Sequence, residues 1–185
     1  MADLWLSLGS NLGNREATLR DALRALKARG LAIRAVSSLY ATAPQGITDQ
    51  PEFLNCVARV QTDLPAREAL RQCQGVEALY GRERTLRWGP RTLDIDLLFY
   101  DNLVSTDAEL ELPHPRLWER AFVLAPLLEL WPDLTTPGGE PARDVLQRLS
   151  MSQGVRRWGT VVIGGCAVGN FRVVVKHNTF EDRGS

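Results

Sequence analysis

Apolar and polar residues follow two periods along the first half of the chain, and the changes of period predict six elements. Alternation with period two predicts strands, whereas apolar residues that recur every three or four positions predict helices. We predict strands at residues 4–8, 31–42, 53–61 and 94–100, and helices at residues 15–29 and 65–80. The order strand, helix, strand, strand, helix, strand predicts an α+β protein with a ferredoxin-like βαββαβ antiparallel sheet flanked by helices.

Residue types at the ends of the two predicted helices support their boundaries. We expect Asn14 to cap the first helix and Gly30 to end it, while Pro65 opens the second. The residues predicted to face inward from these helices are Leu19, Leu23 and Leu26 in the first, and Leu70, Cys73 and either Leu79 or Tyr80 in the second.

The pattern after residue 100 is less regular. It predicts a short strand near residues 109–112, a turn at 113–115, helical segments around 118–130 and a last short helix at 143–149. We assign residues 1–150 to one domain.

Residues 151–185 form a C-terminal extension of unknown role. Two apolar, β-branched runs in it, at residues 161–163 and 171–175, predict a hairpin that pairs with a sheet edge or another subunit. The alternative is a disordered or extraneous end. Because the extension holds no residue needed for chemistry, we expect its removal to leave catalysis intact but to lower solubility, thermal stability or oligomeric state.

Composition excludes some classes of protein. The 185 residues balance 22 basic against 22 acidic side chains, with a pI of about 6.7, which argues against a general nucleic-acid binder. No apolar run approaches the roughly 20 residues of a membrane helix. The N-terminus lacks a signal pattern, and the odd cysteine count predicts reduced thiols, with Cys56 and Cys73 packed as small apolar residues. These features predict a cytoplasmic protein.

Two aspartates in the predicted strand at 94–100 are the strongest candidates for chemistry. Asp94 and Asp96 point to the same face, roughly 6–7 Å apart. Paired carboxylates suit Mg²⁺, which often shares its ligands with substrate phosphates. Residues 82–91, just before them, carry four arginines and one glutamate. An arginine guanidinium can bind phosphate bidentately, with two parallel N–H···O hydrogen bonds. Together these groups predict phosphoryl transfer.

The alternative for the two aspartates is the solvated face of an edge strand. Aspartate is depleted in strands, however, and two on one face repel each other. The neighbouring arginines supply compensating positive charge, which favours the functional interpretation.

Four blocks of sequence carry a family resemblance: residues 8–14 (LGSNLGN), 41–55 (ATAPQGITDQPEFLN), 87–98 (RWGPRTLDIDLL) and 113–130 (PHPRLWERAFVLAPLLEL). With these blocks in this order, the chain resembles the 6-hydroxymethyl-7,8-dihydropterin pyrophosphokinase family of folate biosynthesis over residues 4–149. The resemblance implies Mg²⁺-dependent transfer of an intact pyrophosphoryl group from ATP to the pterin hydroxymethyl oxygen, with release of AMP. It implies no nucleic-acid or membrane partner, and we expect a monomer or a weak homodimer.

The resemblance also implies roles for individual residues. The implied catalytic residues are Arg82, Arg91, Asp94 and Asp96, of which Asp94 and Asp96 hold two Mg²⁺ ions. The implied nucleotide-binding residues are Glu77, Arg84, Trp88, Arg91, Leu97, His114 and Arg120. The implied pterin-binding residues are Thr42, Pro44, Gln45, Phe53, Asn55 and Phe122.

Some of these roles also follow from the chemistry of the substrate. A pterin is flat and aromatic, so it needs aromatic faces to stack on and an amide that matches its donor and acceptor edge. Phe53 and Asn55 are two apart in a predicted strand and therefore share a face. The chain has no G-x-x-x-x-G-K-[ST] motif, which excludes a P-loop kinase.

Each assignment has a structural alternative. Phe53 would otherwise be a core residue, His114 a turn residue, and Glu77 a solvated helix charge. For the whole protein, one alternative is a ferredoxin-like module that senses a ligand without chemistry. Another is a single-stranded nucleic-acid binder that stacks bases on Phe53 and Trp88 beside the arginines.

Overall fold

The computed structural model describes residues 1–44, 49–81, 92–163 and 166–167, which form an antiparallel sheet covered by helices on both faces. The elements in chain order are β1 (Ala2–Ser10), α1 (Arg15–Ala28), β2 (Ala32–Val36), β3 (Leu39–Thr42), β4 (Phe53–Thr62), α2 (Ala66–Leu79), β5 (Asp94–Tyr100), β6 (Ser105–Asp107), β7 (Leu110–Leu112), a 3₁₀ turn (Leu117–Glu119), α3 (Ala121–Leu130), α4 (Ala142–Leu149), β8 (Val155–Gly159), β9 (Val162–Ile163) and β10 (Cys166–Ala167).

The main sheet has six strands in the order β5-β1-β4-β3-β8, and β2 also pairs with β4. Every pairing in this sheet is antiparallel. The predicted α+β class and ferredoxin-like order are therefore confirmed. The first strand lies inside the sheet, next to the edge strand β5, so β1 links β4 on one side to β5 on the other.

The predicted strand at residues 31–42 is two strands, β2 and β3, separated by Ser37 and Ser38. Both serines are buried. The Ser37 hydroxyl accepts a hydrogen bond from the Val57 backbone and donates one to the Ser38 carbonyl, while the Ser38 N–H donates to the Glu129 carboxylate. Because side-chain oxygens accept from the Val57 and Ser38 N–H groups, the strand ladder is interrupted there.

The helix ends follow the predicted signals. The side chain of Asn14 accepts a hydrogen bond from the Ala17 N–H, which confirms the cap of α1. Gly30 follows the helix with a φ of 84°, a left-handed conformation that favours glycine. At the end of α2, Tyr80 packs against the core, whereas Leu79 is 65% exposed.

Each face of the sheet has its own apolar core. One core lies under α1 and α2 and includes Leu4, Leu6 and Leu8 of β1. The other lies under α3 and α4, where Trp5 stacks on Trp131 with ring centroids 5.3 Å apart. Because side chains alternate along a strand, Ser7 and Gly9 share the face of Trp5, the face that also carries the candidate site.

Part of the C-terminal extension belongs to the main sheet. The strand β8 pairs with β3 at the sheet edge. The run predicted at residues 161–163 contributes β9, which pairs with β10, and Val161 is buried in the core under α1 and α2. The second run predicted for the hairpin, at residues 171–175, lies outside the described residues.

The thiols of Cys56 and Cys73 are free and buried, as predicted. Burial raises the pKa of each to about 12. Among the helices of the described ranges, none is long and apolar enough to span a membrane.

Candidate active site

The two aspartates of β5 lie on the face of the sheet that is covered by α3. Leu93, Ile95 and Leu97 are all buried, at 1%, 4% and 4% exposure, and pack in the core under α1 and α2. Alternation therefore turns Asp94 and Asp96 to the opposite face, as predicted. The side chain of Leu97 is enclosed in that core, so Leu97 can contact a nucleotide only through its backbone.

Two basic side chains approach Asp96. Nη1 of Arg120 donates a hydrogen bond to Asp96 Oδ2 at 3.1 Å, and Nε2 of His114 lies 3.8 Å from the same oxygen. Nδ1 of His114 accepts a hydrogen bond from the Arg116 N–H at 3.1 Å, and its backbone N–H donates to the Leu98 carbonyl. His114 is thus fixed in its turn with Nε2 facing the carboxylate.

The surroundings of Asp96 disfavour its ionised form. Burial, and then the negative charge of Asp94, raise the pKa of Asp96, although His114 and Arg120 act in the opposite direction. Burial lowers the pKa of His114 below its usual value, despite the attraction of Asp96. A cation bound between these groups would relieve the cost of keeping Asp96 ionised.

Glu77 of α2 contacts the backbone of β5, the strand that carries Asp94 and Asp96, from the opposite face of the sheet. It is 2% exposed, and its Oε1 accepts a hydrogen bond from the Ile95 N–H at 2.8 Å. The alternative of a solvated helix charge is therefore wrong. The sequence contained a signal for this, because Glu77 is one helical turn after the inward-facing Cys73.

Asn55 and Thr42 form a buried polar pair on the face of the sheet that carries Asp94 and Asp96. Asn55 is 3% exposed and Thr42 is 6% exposed, and Asn55 Nδ2 donates to Thr42 Oγ1 at 3.0 Å. Phe53 pairs with Thr42 across β3 and β4 and is only partly buried, so its ring is not enclosed in a core. Pro44, just after β3, is also partly buried.

The strand register places the Asn55 carboxamide and the Asp94 carboxylate in one row. Gly9 of β1 pairs with Asn55 on β4 and with Asp94 on β5. Two strand spacings separate the backbones of Asn55 and Asp94, which amounts to about 10 Å. A bicyclic ligand that binds at the amide can therefore present a substituent to the carboxylates.

The start of α3 adds an aromatic ring and its neighbouring cation. The Arg120 guanidinium lies 5.7 Å from the ring centroid of Phe122, within the range of a cation–π contact. Because the same guanidinium bonds to Asp96, Arg120 connects the aromatic ring to this carboxylate. The remaining candidates, Gln45, Arg82, Arg84, Trp88 and Arg91, lie outside the described residues.

Contacts that the sequence did not predict hold the start of β4. Asn11 is 1% exposed, and its Nδ2 donates to Gln50 Oε1 at 3.0 Å and to the Pro51 carbonyl at 3.3 Å. Arg15 Nη1 donates to the Glu52 carbonyl at 2.6 Å. The sequence LGSNLGN marked these positions as a turn, but gave no signal for partners 40 residues away.

The carboxylates of Asp94 and Asp96 suit a Mg²⁺ ion that takes its other ligands from water and substrate phosphates. Within the described ranges, no group of three or more His, Cys, Asp or Glu side chains converges on one point. Two carboxylates on one face are sufficient, because Mg²⁺ keeps several waters and takes further oxygens from substrate phosphates. Asp94 and Asp96 are the residues that would hold it.

Comparison with known proteins gives consistent matches. Residues 5–132 match the family model of 7,8-dihydro-6-hydroxymethylpterin-pyrophosphokinase (HPPK). A Methylorubrum extorquens protein named 2-amino-4-hydroxy-6-hydroxymethyldihydropteridine pyrophosphokinase is 44% identical over 158 residues, which cover 85% of this chain and 99% of the relative. An Arabidopsis thaliana protein named folate synthesis bifunctional protein, mitochondrial, is 47% identical over 125 residues, or 68% of this chain and 23% of that protein.

Solved structures share the fold. The crystal structure of wild-type Plasmodium falciparum HPPK-DHPS superposes with a TM-score of 0.62 at 14% identity, covering 81% of this chain and 45% of that one. A second HPPK-DHPS structure, in complex with substrates, gives a TM-score of 0.64 at 13% identity, covering 82% and 44%. The chain thus spans less than half of the bifunctional proteins and nearly all of the Methylorubrum protein.

Proposed function

The chain belongs to the 7,8-dihydro-6-hydroxymethylpterin-pyrophosphokinase family, and from this premise we propose that it transfers an intact pyrophosphoryl group from ATP to the hydroxymethyl oxygen of 6-hydroxymethyl-7,8-dihydropterin. The products are AMP and the pterin diphosphate, an intermediate of folate synthesis. The observation that carries the proposal is the row of Asn55, Gly9 and Asp94 across three paired strands. It puts a buried amide and a carboxylate pair at a separation that suits the two ends of one small bicyclic substrate.

The pterin binds on the side of β3 and β4. Asn55 hydrogen-bonds the edge of the pyrimidine half of the ring, and Thr42 fixes its carboxamide. Phe53 and Phe122 stack on the two faces of the ring, which removes apolar surface from water. Backbone groups near Pro44 and Gln45 complete the hydrogen bonds to the ring edge.

The triphosphate binds on the side of β5. Asp94 and Asp96 would hold two Mg²⁺ ions, and bound metal would supply neutralisation of the phosphates and activation of the attacking hydroxyl. His114 and Arg120, which already face Asp96, contact the nucleotide.

The segment that precedes β5 completes the phosphate site. Arg82 and Arg91 bind the transferred phosphates with charge-assisted hydrogen bonds. Arg84 and Trp88 cover the nucleotide from the same segment. Glu77 acts beneath the nucleotide site, where its hydrogen bond to Ile95 sets the position of both carboxylates.

We also propose that the protein works in the cytoplasm as a monomer or weak homodimer. The free, buried thiols of Cys56 and Cys73 suit a reducing compartment. The name of the Arabidopsis relative places that protein in mitochondria. Cell fractionation and sedimentation at several protein concentrations test the two proposals separately.

The activity is tested by following the nucleotide products. The protein is incubated with ATP, with and without Mg²⁺ and with and without 6-hydroxymethyl-7,8-dihydropterin. We expect AMP and pterin diphosphate in equal amounts, only when the pterin and Mg²⁺ are both present. Pterin binding without turnover would support the ligand-sensing alternative. Formation of ADP, or AMP formation without pterin, would contradict the proposal.

A further inference from the structure

Gly9 lies between the two halves of the proposed site. It pairs with Asn55 on one side and with Asp94 on the other. It shares the sheet face of Trp5 and Ser7, so a side chain at this position would project into the site.

The space next to Gly9 is occupied by the Asn55 carboxamide. A Cβ atom built on Gly9 would lie 2.8 Å from Asn55 Oδ1 and 3.9 Å from Cδ1 of Phe53. The first distance is shorter than Cβ atoms tolerate, so the carboxamide would have to move. It is buried, and its nitrogen is bonded to Thr42 Oγ1 at 3.0 Å, so moving it would disrupt a hydrogen bond where no water replaces it.

The backbone at residue 9 gives no other reason for glycine. Gly13 and Gly30 have positive φ angles, but Gly9 lies in a regular strand without one. Glycine in the interior of a strand is unfavourable, because it loses more conformational freedom than other residues and offers no side chain for packing. The absence of a side chain is therefore the property of glycine that matters at position 9.

We propose that Gly9 is a positioning residue for Asn55. The missing side chain lets the carboxamide lie over β1 while it stays bonded to Thr42, and this orientation presents its free donor and acceptor to the pterin edge. Gly9 thereby sets pterin affinity through Asn55 and leaves nucleotide binding unchanged. The inference rests on the proposed function, because it assumes that Asn55 binds the pterin.

The first test compares Gly9→Ala with Gly154→Ala, a control at which an added Cβ meets nothing within 4 Å. Calorimetric titration measures the dissociation constants of the pterin and of a non-hydrolysable ATP analogue with Mg²⁺. We expect Gly9→Ala to weaken pterin binding about tenfold, the cost of one hydrogen bond. Binding of the ATP analogue should stay within about twofold, and Gly154→Ala should change neither constant. Unchanged pterin binding in Gly9→Ala would overturn the inference.

The second test places Gly9→Ala in an Asn55→Ala background. Because the alanine at position 55 removes the group that Gly9 accommodates, we expect no further loss of pterin affinity from the second substitution. An equal loss in both backgrounds would overturn the inference, since Gly9 would then act on the ligand or the backbone directly. If Gly9→Ala alone does not fold, the double variant should fold, and failure of both would also overturn it.

A third measurement separates this inference from the proposed function. The side-chain amide signals of Asn55 in a ¹⁵N-correlated NMR spectrum report its hydrogen bonding without any ligand. We expect them to shift in Gly9→Ala and to stay in place in Gly154→Ala. Unchanged signals would overturn the inference. Failure of the wild-type protein to bind the pterin, with the shifted signals still seen, would contradict the proposed function and leave the coupling between Gly9 and Asn55 established.

Discussion

Glu77 Oε1 accepts a hydrogen bond from the N–H of Ile95 at 2.8 Å, and Ile95 is the residue between the two candidate metal ligands. The contact runs from α2 to the backbone of β5 on the side opposite to the aspartates. A helix carboxylate that is 2% exposed thus holds the strand segment that carries Asp94 and Asp96.

We predict that Glu77→Ala destabilises the fold by about 1–3 kcal/mol, because it leaves a buried N–H without its acceptor. Glu77→Gln keeps an acceptor oxygen in place and should cost less than the alanine variant. Urea denaturation measures both. If the glutamine variant is as unstable as the alanine variant, the charge of Glu77 and not its hydrogen bond supports the strand.

Asp94→Ala and Asp96→Ala should each abolish turnover while the protein stays folded. Each substitution removes a ligand of the ion and with it the charge that stabilises the transition state. Circular dichroism checks the fold, and turnover is measured at saturating Mg²⁺. Asp144→Ala, at an exposed position of α4, is the matched control and should keep full activity. Near-normal activity of either site variant would show that the metal assignment is wrong.

The stability of the ligand-free protein should depend on the charge of Asp96. Burial and Asp94 raise the pKa of this carboxyl in the folded state above its usual 3.8. The folded protein therefore holds the proton more tightly than the unfolded chain, and the contribution of Asp96 to stability falls as pH rises from the unfolded pKa through the folded pKa.

Asp96→Asn imitates the neutral acid and does not titrate. We predict that it is more stable than the wild type at neutral pH in the absence of ligand, and that this advantage disappears below the unfolded pKa. Thermal unfolding across this pH range measures the difference. A variant that is less stable than the wild type at neutral pH would show that the bond from Arg120 outweighs burial and the repulsion by Asp94.

The C-terminal extension contacts the proposed pterin site, which changes the expectation drawn from the sequence. Val155 of β8 pairs with Thr42. Arg156 forms an ion pair with Glu52, the residue before Phe53, at 2.9 Å. The extension therefore borders two of the strand residues that are proposed to bind the pterin.

We now predict that truncation after residue 150 lowers the melting temperature and raises the KM for the pterin, because it uncovers the edge of β3. Arg156→Ala alone should cost only about 0–1 kcal/mol, since its ion pair is exposed. A truncated enzyme with a lower melting temperature but an unchanged pterin KM would contradict this and restore the original expectation. An unchanged melting temperature would contradict both.

Local patterns predicted much of this fold and part of its site. The spacing of Asp94 and Asp96, two residues apart in a predicted strand, was sufficient to place both on one face of β5. The cap at Asn14 also followed from residue type. Such features depend on neighbouring residues only, so one sequence contains them.

The features that the sequence did not predict depend on distant partners. The break at Ser37 and Ser38 exists because Val57 and Glu129 bond to these serines. The pairing of β8 with β3, and the hydrogen bond from the Ile95 N–H to Glu77, likewise bring together residues far apart in the chain. Hydrophobic periodicity contains no information on such partners, so these contacts became visible only in the folded protein.

The central claim, transfer of an intact pyrophosphoryl group at the Asp94–Asp96 site, is tested most directly by isotope tracing in a single turnover. ATP labelled with ³²P at the β or the γ phosphate is mixed with enzyme, Mg²⁺ and 6-hydroxymethyl-7,8-dihydropterin. We predict that both labels move to the pterin product, that unlabelled AMP is released, and that Asp96→Ala transfers neither label. Transfer of the γ label alone, with the β label left in ADP, would contradict the account.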